Sequence, residues 1–222
     1  MDYPVYCEQA LSSGVFEPIN TLTNLFFMVA GILLFVRLKK KGLLDLKGIW
    51  FSCLLFFIGV GSFAWHFQRT DFTLMADSIP IGLFILSYLY FYLVRATYKL
   101  LYRLLLFFGF FIYTPLMIRL FNEFATTGFF DNGGLSYTIA LSYFLILQIY
   151  TYFFKPELLK KSLIIVVLFF TSIVFRQIDW RLCELIGFGT HFIWHIFNSI
   201  VLFLFVNLLY FTKSNTEKTL DI

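Results

Sequence analysis

The 222-residue chain contains three histidines, His66, His191 and His195, and all three lie in apolar runs. His191 and His195 stand four residues apart in Thr190-His191-Phe192-Ile193-Trp194-His195. On a helix this spacing stacks the rings on one face, about 6 Å apart along the axis, where two ring nitrogens can converge on one metal ion. His66 ends a second apolar run, Gly61-Ser62-Phe63-Ala64-Trp65-His66, with Ser62 one turn earlier and the carboxylate of Asp77 shortly after. Ionisable side chains are costly in such surroundings, and that cost makes each a candidate for function. Three neutral imidazoles are the donor set of a catalytic zinc site with one position open to water, whose pKa the ion lowers to about 7. Asp77 is the candidate to take the water's proton and pass it to a leaving group. Ser62, at i−4 from His66, shares its helix face, so its hydroxyl can donate to the oxygen of a tetrahedral intermediate. Asn198, at i+3 from His195, is a candidate donor supporting a ligand. Each residue also has a plainer reading. His66 alone would be an interhelical hydrogen-bonding residue, Ser62 a small packing residue, and Asp77 the partner of Arg69 at the membrane edge. Haem fits less well, because His191 and His195 on one helix cannot be opposite axial ligands, although His66 and either one could.

These residues need a scaffold, and the composition says which. With 60% hydrophobic and only 14% charged residues, the chain is too apolar for an ordinary soluble globule and reads as a polytopic membrane protein. Stretches of about 20 apolar residues fall at 20–38, 48–67, 72–94, 101–119, 134–154, 162–176 and 185–211. They predict an all-α fold, seven transmembrane helices in a single domain over 1–222, the last helix long or tilted. No basic segment precedes an apolar core at the N-terminus, so no cleavable signal peptide is expected and the first span would direct insertion. The connections are short, the longest being 119–134 with its Asp131-Asn132-Gly133-Gly134 turn, which leaves no room for an inserted soluble domain. Of the 17 basic residues, only Arg69, Arg119, Arg176 and Arg181 fall on one side of the membrane. The net charge is therefore a topology signal rather than a nucleic-acid patch. It predicts the N-terminus outside and the C-terminus in the cytoplasm. No nucleic-acid or protein partner is indicated.

In that topology the second span runs outward to His66, the third starts inward near residue 72, and the seventh comes in from outside. Ser62, His66, Asp77, His191 and His195 then share one depth, about 5 to 15 Å inside the outer ends of their spans. Cys7 and Cys183 fall on the same outer face, whereas Cys53 lies within the second span toward its cytoplasmic half. In an oxidising compartment Cys7 and Cys183 can pair and tie the N-terminal segment to the span that carries two histidines; two separate thiols are the alternative.

The elements Gly61-Ser62-Phe63-Ala64-Trp65-His66, Asp77-Ser78-Ile79-Pro80 and His191-Phe192-Ile193-Trp194-His195 resemble the GS-x-x-x-H, D-x-x-P and H-x-x-x-H elements of the alkaline ceramidases. Tyr6-Cys7-Glu8, the stretch Glu17 to Asn24, and Ile178-Asp179 with Cys183 are similar too, so the resemblance extends over most of the chain. It implies zinc held by His66, His191 and His195, Asp77 acting on the zinc's water and Ser62 steadying the oxyanion. The implied reaction is hydrolysis of a ceramide-like membrane lipid to a fatty acid and a sphingoid-type amine. In animal members an acidic N-terminal segment binds calcium. Here Glu8 and Glu17 match, which makes them candidate Ca2+ residues, with solvated interfacial carboxylates as the alternative. The wider superfamily of seven-span proteins sharing a Ser, three His and an Asp includes adiponectin-receptor-like proteins. A lipid-responsive receptor with a structural or slow zinc site is therefore the competing function. That branch is expected with its N-terminus inside, opposite to the charge distribution here. In sealed vesicles of known orientation, an N-terminal epitope tag is expected on the extracytoplasmic face and a C-terminal tag on the cytoplasmic face. The reverse accessibility would contradict the assignment.

Overall fold

The computed structural model describes residues 6–11, 16–97, 99–125, 134–154 and 156–211; the turn predicted at 131–134 lies, apart from Gly134, outside them. The described residues form nine helices, α1 (Cys7–Leu11), α2 (Pro18–Thr23), α3 (Leu25–Lys40), α4 (Leu46–Phe67), α5 (Asp71–Ala96), α6 (Leu100–Ala125), α7 (Gly134–Phe154), α8 (Pro156–Ile178) and α9 (His191–Phe211). Seven segments are long and apolar enough to cross a membrane, the first being α2 and α3 together over Pro18–Lys40. Six of the seven sequence-derived spans match these within a few residues. The seventh does not begin at 185. Residues 179–190 form turns, and α9 starts at His191 as a helix of 21 residues, an ordinary length for a span. The break is enforced at Gly189, whose φ of +67° disfavours other residues, and a Cβ there would come within 2.2 Å of an Asp179 carboxylate oxygen.

Helix starts are set by local chemistry. Asp45 caps α4 by accepting from the Gly48 N–H, and Thr70 with Thr73 forms a reciprocal capping box at α5. Phe27, Leu34, Phe51, Leu55, Ile58, Tyr92 and Val206 are buried between the helices, while no residue of the apolar window of α6 is buried, as suits a helix at the edge of the bundle.

α4 and α5 pack closest where the candidate residues lie. A Cβ on Gly61 would stand 2.0 Å from the Ala76 carbonyl oxygen. Pro80 explains why that carbonyl faces a neighbour, because a proline has no N–H to give the residue four positions earlier, which is Ala76. Glycine on one helix and proline on the next thus let two backbones touch, the usual means of close packing inside a bilayer. This contact sets Ser62 of α4 against Asp77 of α5. Gly61→Ala must force the pair apart. It should lower the melting temperature by several degrees, since overpacking costs about 1–3 kcal/mol. Gly82→Ala, into open space, should be neutral. Equal melting temperatures for the Gly61 variant and the parent would contradict the packing argument.

Candidate metal centre

His66 is placed by the last turn of α4, His191 and His195 by the first two turns of α9, and all three rings are buried. One ligand nitrogen from each lies within 4.8 Å of the others. The ring centroids are 4.6 to 5.2 Å apart. The outward-facing nitrogens show that this arrangement suits a metal. His66 Nδ1 lies 2.8 Å from Glu17 Oε2, and a carboxylate only accepts, so the Nδ1 proton points to Glu17 and Nε2 keeps its lone pair for the cluster. His195 Nδ1 lies 3.0 Å from the Thr23 hydroxyl. That hydroxyl gives its own proton to the Ile19 or Asn20 carbonyl, at 2.9 and 3.1 Å, and so accepts from His195. His191 is held face to face by the Tyr6 ring, with centroids 3.8 Å apart and planes 16° apart. Converging imidazoles, two with one ring nitrogen engaged by a hydrogen bond on the side away from the cluster, fit a divalent metal such as zinc.

The supporting shell comes from the N-terminal segment. Glu17 is fully buried, its N–H bonds the His66 carbonyl at 3.0 Å, and its carboxylate accepts from His66, Asn20 and Arg69. Burial by itself would raise the Glu17 pKa; the hydrogen bond from His66 and the charge of Arg69 outweigh it and hold the group below the usual carboxylate range. Glu8 accepts from the Ile19 and Asn20 N–H groups at 2.7 and 2.8 Å, holding the start of α2, and burial pushes its pKa up. The reading of Glu8 and Glu17 as solvated interfacial carboxylates is therefore corrected, since they are only 6% and 0% exposed. The candidate calcium role falls on these same groups, and all four of their oxygens face N–H donors of the protein.

Asp179 supports the other helix. Its Oδ1 accepts from the Thr190 and His191 N–H groups at 2.6 and 2.8 Å, capping α9 at the first histidine, while Oδ2 accepts from Cys7 N–H at 2.8 Å. Cys7 and Cys183 are joined as a disulfide with Cα atoms 5.4 Å apart. Carboxylate and disulfide thus tie the N-terminal segment to the approach to α9.

Ser62 lies beside the Asp77 carboxyl, and Asp77 Oδ1 is buried without a hydrogen-bond partner. Both line one cavity with the three histidines. Arg69 is engaged with Glu17 at 2.6 Å, so its ion pair is not the one suggested by the plainer reading of Asp77. Asn198 donates to Ser172 and to the Trp194 carbonyl, which ties α9 to α8 rather than orienting a histidine. The cavity runs from the histidines along α5 past Phe84 and Tyr88 to Tyr92, fifteen residues from Asp77 and so roughly 22 Å deep. Gln148 and Thr151 bind the Tyr92 hydroxyl at its far end. Thr23, Asp179, Tyr6 and Arg176 join the site in the fold, although none is marked for it by residue type and spacing. Thr23, Asp179 and Tyr6 stood in stretches already noted as similar, and Arg176 was visible as a charge closing an apolar run.

Fold and site together define a seven-helix membrane protein whose buried histidine cluster, carboxylate and hydroxyl open into an apolar cavity. The family model described as Ceramidase matches residues 5–221, and the chain belongs to the ceramidase family, membrane hydrolases acting on the amide bond of ceramide. No curated protein of similar sequence was found. Glu17→Gln should weaken metal affinity about 10- to 100-fold, because the amide no longer offers a charged acceptor to His66. Competition with a chelator of known affinity measures this, and unchanged affinity would show that Glu17 does not support the ligand.

Proposed function

We propose that the protein is a zinc-dependent intramembrane amidohydrolase that cleaves a ceramide-like lipid to a fatty acid and a sphingoid-type amine on the extracytoplasmic side. The observation that carries this reading is the convergence of His66, His191 and His195 with Ser62 and Asp77 at one end of an apolar cavity. The three histidines would hold the ion. When bound, it supplies Lewis acidity that polarises the amide carbonyl and makes a water acidic near neutrality. Glu17 and Thr23 keep the Nδ1 protons of His66 and His195 in place throughout. Asp77 takes the proton of the attacking water on its carboxylate and gives it to the amide nitrogen as the carbon–nitrogen bond breaks. Ser62 turns its hydroxyl to the acyl oxygen as negative charge develops there. The apolar walls hold a hydrocarbon chain and exclude water, which strengthens each of these interactions. An extended chain of about 18 carbons spans the depth estimated from the rise of α5.

Purified protein should carry about one zinc per chain, as a single three-histidine site holds one ion. His191→Ala and His195→Ala should lose it, while Asp77→Asn should retain it and lose turnover of a fluorescent ceramide analogue. Ser62→Ala should cost about 10²-fold, the scale of one oxyanion donor. Wild-type turnover by the Asp77 variant would remove the proton-transfer role, and unchanged zinc in both histidine variants would remove the metal site.

A further inference from the structure

Arg176 closes the last turn of α8, is only 6% exposed, and lines the same cavity as the histidine cluster. Among the described residues lining that cavity it is the one lysine or arginine. Its Nη2 donates to the Tyr6 hydroxyl at 2.9 Å, and its guanidinium carbon lies 5.4 Å from the Tyr6 ring centroid and 5.1 Å from those of Tyr137 and Trp194. Three aromatic rings thus hold the cation in place. Two of them adjoin the cluster, Tyr6 by stacking on His191 and Trp194 by lying between His191 and His195 in sequence. The charge is close enough to act on Asp77, His191 and His195.

Burying a guanidinium is costly, and one that lines the same cavity as the three histidines repels the cation they would hold. Metal binding gives no reason for it. The reaction does. Hydrolysis converts a neutral amide and water into a carboxylate and an ammonium ion, R–CO–NH–R′ + H2O → R–COO− + R′–NH3+, so negative charge accumulates on the acyl oxygens at the cluster. A guanidinium carries several N–H donors in a planar fork, a geometry that matches the two oxygens of a carboxylate, and in a cavity with little water such charge-assisted bonds are strong.

We propose that Arg176 binds the carboxylate of the fatty-acid product, and so holds the acyl end of the lipid at the cluster. This rests on the amidohydrolase reading. The test compares binding of palmitate and of 1-hexadecanol, equal in chain length and differing in charge, to the full-length zinc-loaded protein in nanodiscs at a pH where palmitate is ionised. Wild type should prefer palmitate. Arg176→Gln should bind palmitate about tenfold or more weakly, the scale of one charge-assisted hydrogen bond, with hexadecanol affinity unchanged, which also reports an intact cavity. Wild-type palmitate affinity in that variant overturns the proposal. If the Gln variant loses hexadecanol binding too, Arg176→Lys decides, because it keeps the charge and loses the planar fork: weaker palmitate with unchanged hexadecanol supports the assignment, and unchanged palmitate overturns it. Turnover of a ceramide analogue, followed in parallel, separates the two readings. An Arg176-dependent preference for palmitate in a wild-type protein without turnover leaves the carboxylate site and removes the amidase, whereas turnover with no such preference does the reverse.

Discussion

The hydrogen bond between Glu17 and His66 is the contact on which the rest of the site depends. An imidazole presents a metal with a usable lone pair only when its proton is held on the other nitrogen, and Glu17 holds it at 2.8 Å from a fully buried position. A buried carboxylate is expensive unless its oxygens are satisfied, and here they accept from His66, Asn20 and Arg69. Glu17 sits at the end of α4, where its N–H bonds the His66 carbonyl, and Tyr6 and Cys7 lie against the start of α9 and the turns before it. Glu8 holds the start of α2, Cys7 is bonded to Cys183, and the Cys7 N–H binds Asp179. Tyr6, Cys7, Glu8 and Glu17, which precede the first membrane span, are therefore part of the site.

The membrane-spanning helices contribute through close approach and through their ends. Inside a bilayer apolar side chains gain little by leaving lipid for one another, so position is fixed by backbone contact and by polar groups that must be satisfied. Gly61 against the Ala76 carbonyl, freed by Pro80, brings Ser62 and Asp77 together. Asp179 stops the turn region and starts α9 at a histidine. Each of these devices acts within a turn or two of a residue proposed to do chemistry, and the far half of the bundle is mainly aromatic and aliphatic packing around the cavity, with the Tyr92, Gln148 and Thr151 hydrogen bonds at its end.

The fold was largely legible because spans are written as long apolar runs and the bilayer sets their length. The beginning of α9 was not, since residues 185–190 are apolar enough to continue a span, and only the Asp179 cap and the left-handed Gly189 show that the backbone turns there. The three histidines and Asp77 could be singled out by the cost of placing them in lipid. Glu17 could be singled out only as a carboxylate, not as the partner of a residue 49 positions away. Its role depends on a tertiary contact between the N-terminal segment and α4 that no periodicity encodes. Arg176 was read as a topology charge for the same reason: a basic residue at the end of a span looks alike whether it faces headgroups or a cavity.

The proposed chemistry requires one metal ion held by three neutral imidazoles. Zinc K-edge X-ray absorption of the purified protein measures this directly. The predicted spectrum has imidazole scattering from three nitrogens at about 2.0–2.1 Å with one further light atom and no sulfur. A shell dominated by sulfur, or by oxygen without the imidazole signature, would contradict it.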